Sequence, residues 1–87
     1  MKQVRSWTHK TELPCDAASA SLAREFVRIH LVEHGFSGLV EDLSLVTSEL
    51  ATNAILHAQT TFTVTLDGDQ ESVRLTVRDK SALPPVL

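Results

Sequence analysis

Residues Leu45–Ala58 read LVTSELATNAILHA, and the reading of this run decides how the rest of the 87-residue chain is understood. It reads as a single helix carrying Glu49, Asn53 and His57 at four-residue steps. A four-residue step misses a whole number of helical turns by about 40°, so the three form a slowly drifting row. Extended back to about Leu39, the same helix gathers Leu39, Leu43, Val46, Leu50 and Ala54 on one stripe, the expected core face. On that wheel Glu49 starts well off the stripe, Asn53 sits at its border, and His57 comes round close to Leu50. Burying an unpaired carboxylate or amide is costly, so such groups need partners or water. Two alternatives stay open from the residues alone. The row is an ordinary polar seam, or it faces a pocket between helix and sheet. In such a pocket a Glu can act as base, an Asn oxygen can ligate a hard cation such as Mg²⁺, and a His can donate to an anionic group.

Upstream, residues 17–34 predict a helix with Leu22, Phe26, Ile29 and Val32 near its buried face. Four alanines among residues 17–23 favour helix and allow a neighbouring backbone close. Asp16 is placed to N-cap this helix and Gly35 to end it in the left-handed conformation, with Phe36 making the accompanying apolar contact. Ser37 or Gly38 then opens the second helix, whose first turn holds Glu41 and Asp42, where the helix dipole favours negative charge. Residues 4–13 alternate poorly and fit an edge strand that Pro14 closes.

Downstream, Thr60–Leu66 alternates, with Phe62, Val64 and Leu66 on one side and threonines on the other. Val73–Val77 repeats the pattern, and Asp67-Gly68-Asp69 supplies a turn signal, so the pair predicts an antiparallel hairpin with one wet face. Asp79 ends the last strand, as a turn residue or as a ligand contact. The tail SALPPVL is assigned no element. The expected order is β-α-α-β-β: an α+β two-layer sandwich of two helices on a mixed or antiparallel sheet, thin for the helices it must cover.

Composition narrows the function classes. A formal net charge of −3, with eight scattered basic residues, argues against a nucleic-acid binder. Cys15 is the only cysteine, which excludes a disulfide framework or a thiolate metal cluster and makes a reducing cytosol the simplest compartment. No apolar run approaches the roughly 20 residues of a spanning helix, and no secretory leader is recognisable, so a cytoplasmic chain without membrane association is expected.

Taken together, these segments resemble a known family. Glu49-Leu-Ala-Thr-Asn53-Ala-Ile-Leu-His57-Ala resembles the N box of the GHKL (histidine kinase-like) ATP-binding superfamily, and most closely that of the anti-sigma-factor serine kinase branch. The preceding helix, the hairpin and the VRD strand end follow in the family's order. The resemblance implies an incomplete Bergerat-type ATPase fold over residues 1–87, with ATP and Mg²⁺ as cofactors. It implies that Glu49 activates the attacking hydroxyl or water, and that Asn53 ligates Mg²⁺. His57 is then placed near the phosphates, and the Asp79 carboxylate accepts from the adenine amine. The implied activity is transfer of the ATP γ-phosphoryl to a serine of an antagonist protein, with a sigma factor as alternative partner. Homodimers occur among such relatives.

The departures are specific. The family's box after the aspartate commonly reads D-x-G-x-G, whereas this chain has Asp79-Lys-Ser-Ala-Leu, and the Gly-rich lid that cradles phosphates would lie beyond Leu87. Weak ATP binding, or none, is the expectation for the chain alone. The alternative is a catalytically inactive interaction module that binds a sigma factor or antagonist.

Overall fold

A computed structural model describes residues 6–80; the expectations for residues 4–5 and for the SALPPVL tail lie outside them. Strand β1 (Trp7–Leu13) is followed by helix α1 (Ser19–Glu33), helix α2 (Val40–Asn53), strand β2 (Phe62–Gly68) and strand β3 (Val73–Asp79). A single 3₁₀ turn, Ser37–Leu39, leads into α2, and a π-helical turn, Ala54–Ala58, ends it. The domain is α+β in the expected order. Its sheet is antiparallel throughout, with β2 central in the order β1-β2-β3.

The alternation in β2 produces the layering directly. Phe62, Val64 and Leu66 are fully buried against the helices, while Thr63 and Thr65 share the open face with Thr8, Lys10, Thr76 and Arg78. In β1 the inward positions are Trp7, His9, Thr11 and Leu13. Two of these four are polar, which is why the strand alternates in space but only poorly in hydropathy.

Both helices bury faces other than those their large apolar residues suggest. In α1 the fully buried row is Ser19, Ala23, Val27 and Leu31, at four-residue steps, whereas Leu22, Ile29 and Val32 are exposed. In α2 and the π turn the buried positions are Thr47, Ala51 and Ala54, and Leu39 and Val46 are exposed. The α2 stripe is thereby turned by roughly 70° from the expected one. Helix α1 packs along α2, and the buried faces include Ala23 and Ala51, whose small side chains permit close approach. Thr47 meets its polar obligation locally, its hydroxyl donating to the Leu43 carbonyl at 2.6 Å.

Local chemistry sets the element ends. Asp16 is not the N-cap, which is Ala18; its Oδ1 accepts from the Ala18 N–H at 2.8 Å in the turn just ahead of α1. At the other end Gly35, at φ 85°, forms a Schellman motif: its N–H reaches the Val32 carbonyl at 3.1 Å, and the Phe36 N–H reaches that of Leu31 at 2.7 Å. The hairpin differs from expectation, because Asp67 and Gly68 belong to β2 and the chain reverses through residues 69–72. There the Asp69 carboxylate accepts from the N–H groups of Glu71 and Ser72 at 2.8 and 2.9 Å.

Candidate functional site

The first consequence of the rotated α2 stripe falls on the polar row. Glu49 lies two residues from both Thr47 and Ala51, about 200° away on the wheel, so it stands at the pole opposite the core. Glu49 and His57 are exposed, and Asn53 is half-buried. The row therefore does not walk into the apolar face. The π turn contributes at the His57 end, since each turn there takes an extra residue and its side chains lag behind the α-helical wheel.

Glu49 and Asn53 nevertheless share one feature. With Ser48 and Thr52 they line an open groove of about 350 Å³ on the surface of α2, built from that helix alone. Ser48 on its rim is held from the neighbouring helix. Arg24 Nη1 donates to Ser48 Oγ at 2.9 Å, and Nη2 of the same guanidinium donates to Ser21 Oγ at 2.9 Å. The arrangement offers a carboxylate and a side-chain amide one turn apart, the first exposed and the second half-buried.

Asp79 lies on the helix-facing side of the sheet, in line with Val73, Leu75 and Val77 and paired in register with Phe62. The π turn packs against β3, so Asp79 and the turn carrying His57 belong to neighbouring elements. The strand end is anchored by the Lys80 N–H, which donates to Thr60 Oγ1 at 3.1 Å. Gln59 closes the π turn in the left-handed region at φ 55°, ψ 31°, an uncommon conformation for a residue with a β-carbon. Glu49 and Asn53 are thus brought together, while Asp79 and His57 stand outside their groove.

A second polar constellation lies where β1 crosses the end of α1. His9, His30 and Glu33 each place one ligand atom within 4.8 Å of the others'. His34 joins them, its Nε2 lying 2.8 Å from His9 Nε2 and 3.5 Å from Glu33 Oε1. Glu33 Oε1 is also 3.4 Å from His9 Nε2 and 3.1 Å from His30 Nδ1. Ring stacking frames the group: Trp7 on His34 at 3.9 Å and His9 on His30 at 3.7 Å. Burial first, then the neighbouring His30, hold His9 below the usual imidazole range, although Glu33 pulls the other way. The hydrogen bond from His30 is the main reason the Glu33 carboxyl lies low. A local signal for part of this group was present in His30-Leu-Val-Glu33-His34, the His-x-x-Glu-His spacing with which some zinc enzymes bring two imidazoles to one helical turn. The contribution of His9 had no local signal.

No protein-family model, curated protein or solved structure matches the chain. Among the described residues, no helix is long and apolar enough to cross a membrane.

Proposed function

We propose that the chain is an ATP-binding regulatory domain of the anti-sigma-factor serine kinase type, acting in transcriptional regulation. The observation that carries this reading is the shared groove of Glu49 and Asn53, a carboxylate and an amide oxygen one helical turn apart. The donor set suits Mg²⁺, which takes few protein ligands and keeps water and phosphate oxygens in the rest of its shell. Asn53 would hold that ion, whose chemistry is to neutralise phosphate charge. Glu49 accepts the proton of the attacking serine hydroxyl, the role that phosphoryl transfer asks of a positioned carboxylate. Asp79, on the helix-facing side of the sheet beside the π turn, accepts from the adenine amine, and His57 donates toward the phosphates. With three glycines, at 35, 38 and 68, the sequence has no glycine-rich phosphate cradle, so the expected affinity is low.

Titration of Mg-ATP into the ¹⁵N-labelled chain tests the reading. Saturable shifts at Glu49, Asn53 and Asp79 are expected, with an affinity on the order of 1 mM. They should require Mg²⁺ and disappear in Asn53→Ala. Shifts that survive this substitution unchanged would remove the Mg²⁺ assignment, and an unresponsive spectrum at millimolar ATP would remove nucleotide binding.

A second reading, an interaction module without turnover, is favoured by the apolar residues that both helices leave in water. Leu45 and Leu56 are each 63% exposed and Leu22 is 53% exposed. A sigma factor or antagonist would then be recognised through this helical surface. An unresponsive spectrum with Mg-ATP leaves this second reading standing.

A further inference from the structure

We infer that His9, Glu33 and His34 form a binding site for a divalent transition-metal ion of the Zn²⁺ class, with His30 orienting the carboxylate. The three donor atoms make a closed triangle: His9 Nε2 to His34 Nε2 is 2.8 Å, His9 Nε2 to Glu33 Oε1 is 3.4 Å, and His34 Nε2 to Glu33 Oε1 is 3.5 Å. Two ligands of a tetrahedral Zn²⁺ at bonds of about 2.0–2.1 Å stand roughly 3.3 Å apart, a separation that the two edges at Glu33 already have, whereas the His9–His34 edge, a hydrogen bond in this structure, must open by about 0.5 Å. The His9 and His34 rings are inclined by 40° rather than stacked, and their Nε2 atoms share a hydrogen bond whose proton a bound ion would displace.

His30 plays a different part. Its ring stacks on His9 with planes 11° apart, so the two sets of lone pairs run side by side rather than converging. Its Nδ1 instead contacts Glu33 Oε1 at 3.1 Å, the outer-shell contact that fixes a ligating carboxylate. His34 escapes the helical row because it is the C-cap of α1, at φ −98° and ψ 10°, held there by the Schellman motif at Gly35.

One feature independent of the donor triangle favours a cation here. The site lies at the C-terminal end of α1, the negative pole of the helix. The donors are imidazole and carboxylate, the set that suits Zn²⁺, Ni²⁺ and Co²⁺ rather than Ca²⁺. Three protein ligands leave the fourth position to water. The ion would pin edge strand β1 to the far end of α1, the element that follows it in the chain.

The test uses Zn²⁺ and Co²⁺ with the whole chain. Calorimetry should give one Zn²⁺ per chain, and Co²⁺ should develop the visible absorption of a tetrahedral site. Saturating Zn²⁺ at about 100 times its Kd should raise Tm by 10 °C or more. His9→Ala and His34→Ala should abolish the Co²⁺ spectrum, whereas His30→Ala should weaken Zn²⁺ binding by about 10- to 100-fold while keeping the spectrum tetrahedral. Glu33→Gln, at an exposed position that leaves the core intact, should also abolish tight binding. Cys15→Ser should change nothing and so exclude the exposed thiol. Zn²⁺ binding of unchanged affinity in both Glu33→Gln and His34→Ala, an octahedral Co²⁺ spectrum, or no binding at all would overturn the assignment.

Discussion

The indole of Trp7 lies flat on the imidazole of His34, ring centroids 3.9 Å apart and planes within 2°. One residue is the first of β1 and the other caps α1, so this contact joins the sheet edge to the helix layer. Phe36, ring centroid 6.3 Å from Trp7, extends the same contact toward the core. Trp7→Ala should therefore cost about 2 to 3 kcal/mol in urea unfolding, below the value for a fully buried aromatic because Trp7 is only half-buried. Trp7 is the single tryptophan, so the fluorescence of the wild type should change in His34→Ala without global unfolding.

Gly68 is the cross-strand partner of Trp7 and leaves the space that the indole occupies. A β-carbon there would stand 2.9 Å from Trp7 Cζ2 and collide with the Ser72 carbonyl oxygen. Gly68→Ala should destabilise by about 1 to 3 kcal/mol, the range for forced overpacking, and should alter the near-ultraviolet circular dichroism of Trp7. A neutral result would mean that the indole lies elsewhere.

Asp69 gives the hairpin a pH dependence. Hydrogen bonds from the Glu71 and Ser72 backbone, in that order, hold its carboxyl below the usual aspartate range. A group whose pKa is lowered by folding contributes stability above its unfolded value and loses it as pH falls through the folded one. The stability gap between wild type and Asp69→Ala should be widest above about pH 5 and narrow steadily in more acid solution. Denaturant midpoints measured across that range check it; a gap that widens in acid would contradict the assignment.

Ser19 carries a fully buried hydroxyl without a hydrogen-bond partner among the described residues. Removing an unsatisfied buried polar atom while keeping the β-carbon is favourable, so Ser19→Ala should raise stability by about 1 kcal/mol. Thermal unfolding of the two proteins decides this, and a loss of stability would show that the hydroxyl is paired in solution.

Gln59 holds a left-handed conformation, for which a residue with a β-carbon pays roughly 1 to 2 kcal/mol. Gln59→Gly should recover about 0.5 to 1 kcal/mol after the entropy cost of glycine is met. The same substitution at Gly35 in reverse, Gly35→Ala, should lose about 1 kcal/mol through backbone strain alone, because the space around its β-carbon is open.

What was legible in the sequence is what local chemistry determines. The order of elements followed from short-range periodicity, and the end of α1 from Gly35 and Phe36. The two strands of the hairpin followed from the alternation of Phe62, Val64 and Leu66 with threonines. The buried faces of the helices were not legible, because hydropathy points to Leu22, Ile29 and Val46, whereas the buried rows carry Ser19, Ala23, Thr47 and Ala51, which a hydropathy pattern does not favour. Asp67-Gly68 resembles a turn, yet Gly68 ends β2, where a β-carbon would collide with the Ser72 carbonyl oxygen and crowd Trp7, a residue remote in sequence. The position of Glu49 off the apolar stripe and of Asn53 at its border was visible, but not the exposure of His57, which was expected close to Leu50. The histidine cluster escaped as well: His9 and His34 meet only because β1 and the end of α1 are brought together by the complete fold.

The register that joins Leu13 to Phe62 spans both helices, whereas β2 and β3 are joined by one short turn. Closing the long loop carries an entropy cost that the hairpin does not bear, so β1 should dock last, onto a preformed hairpin and helix pair. Opening should run in the reverse order. In native-state hydrogen exchange, the amides of β1 should exchange through a partial unfolding of lower free energy than those pairing β2 with β3. A ligand gripping His9 from α1 would act on that weakest seam, converting the last step of folding into the one a metal ion controls.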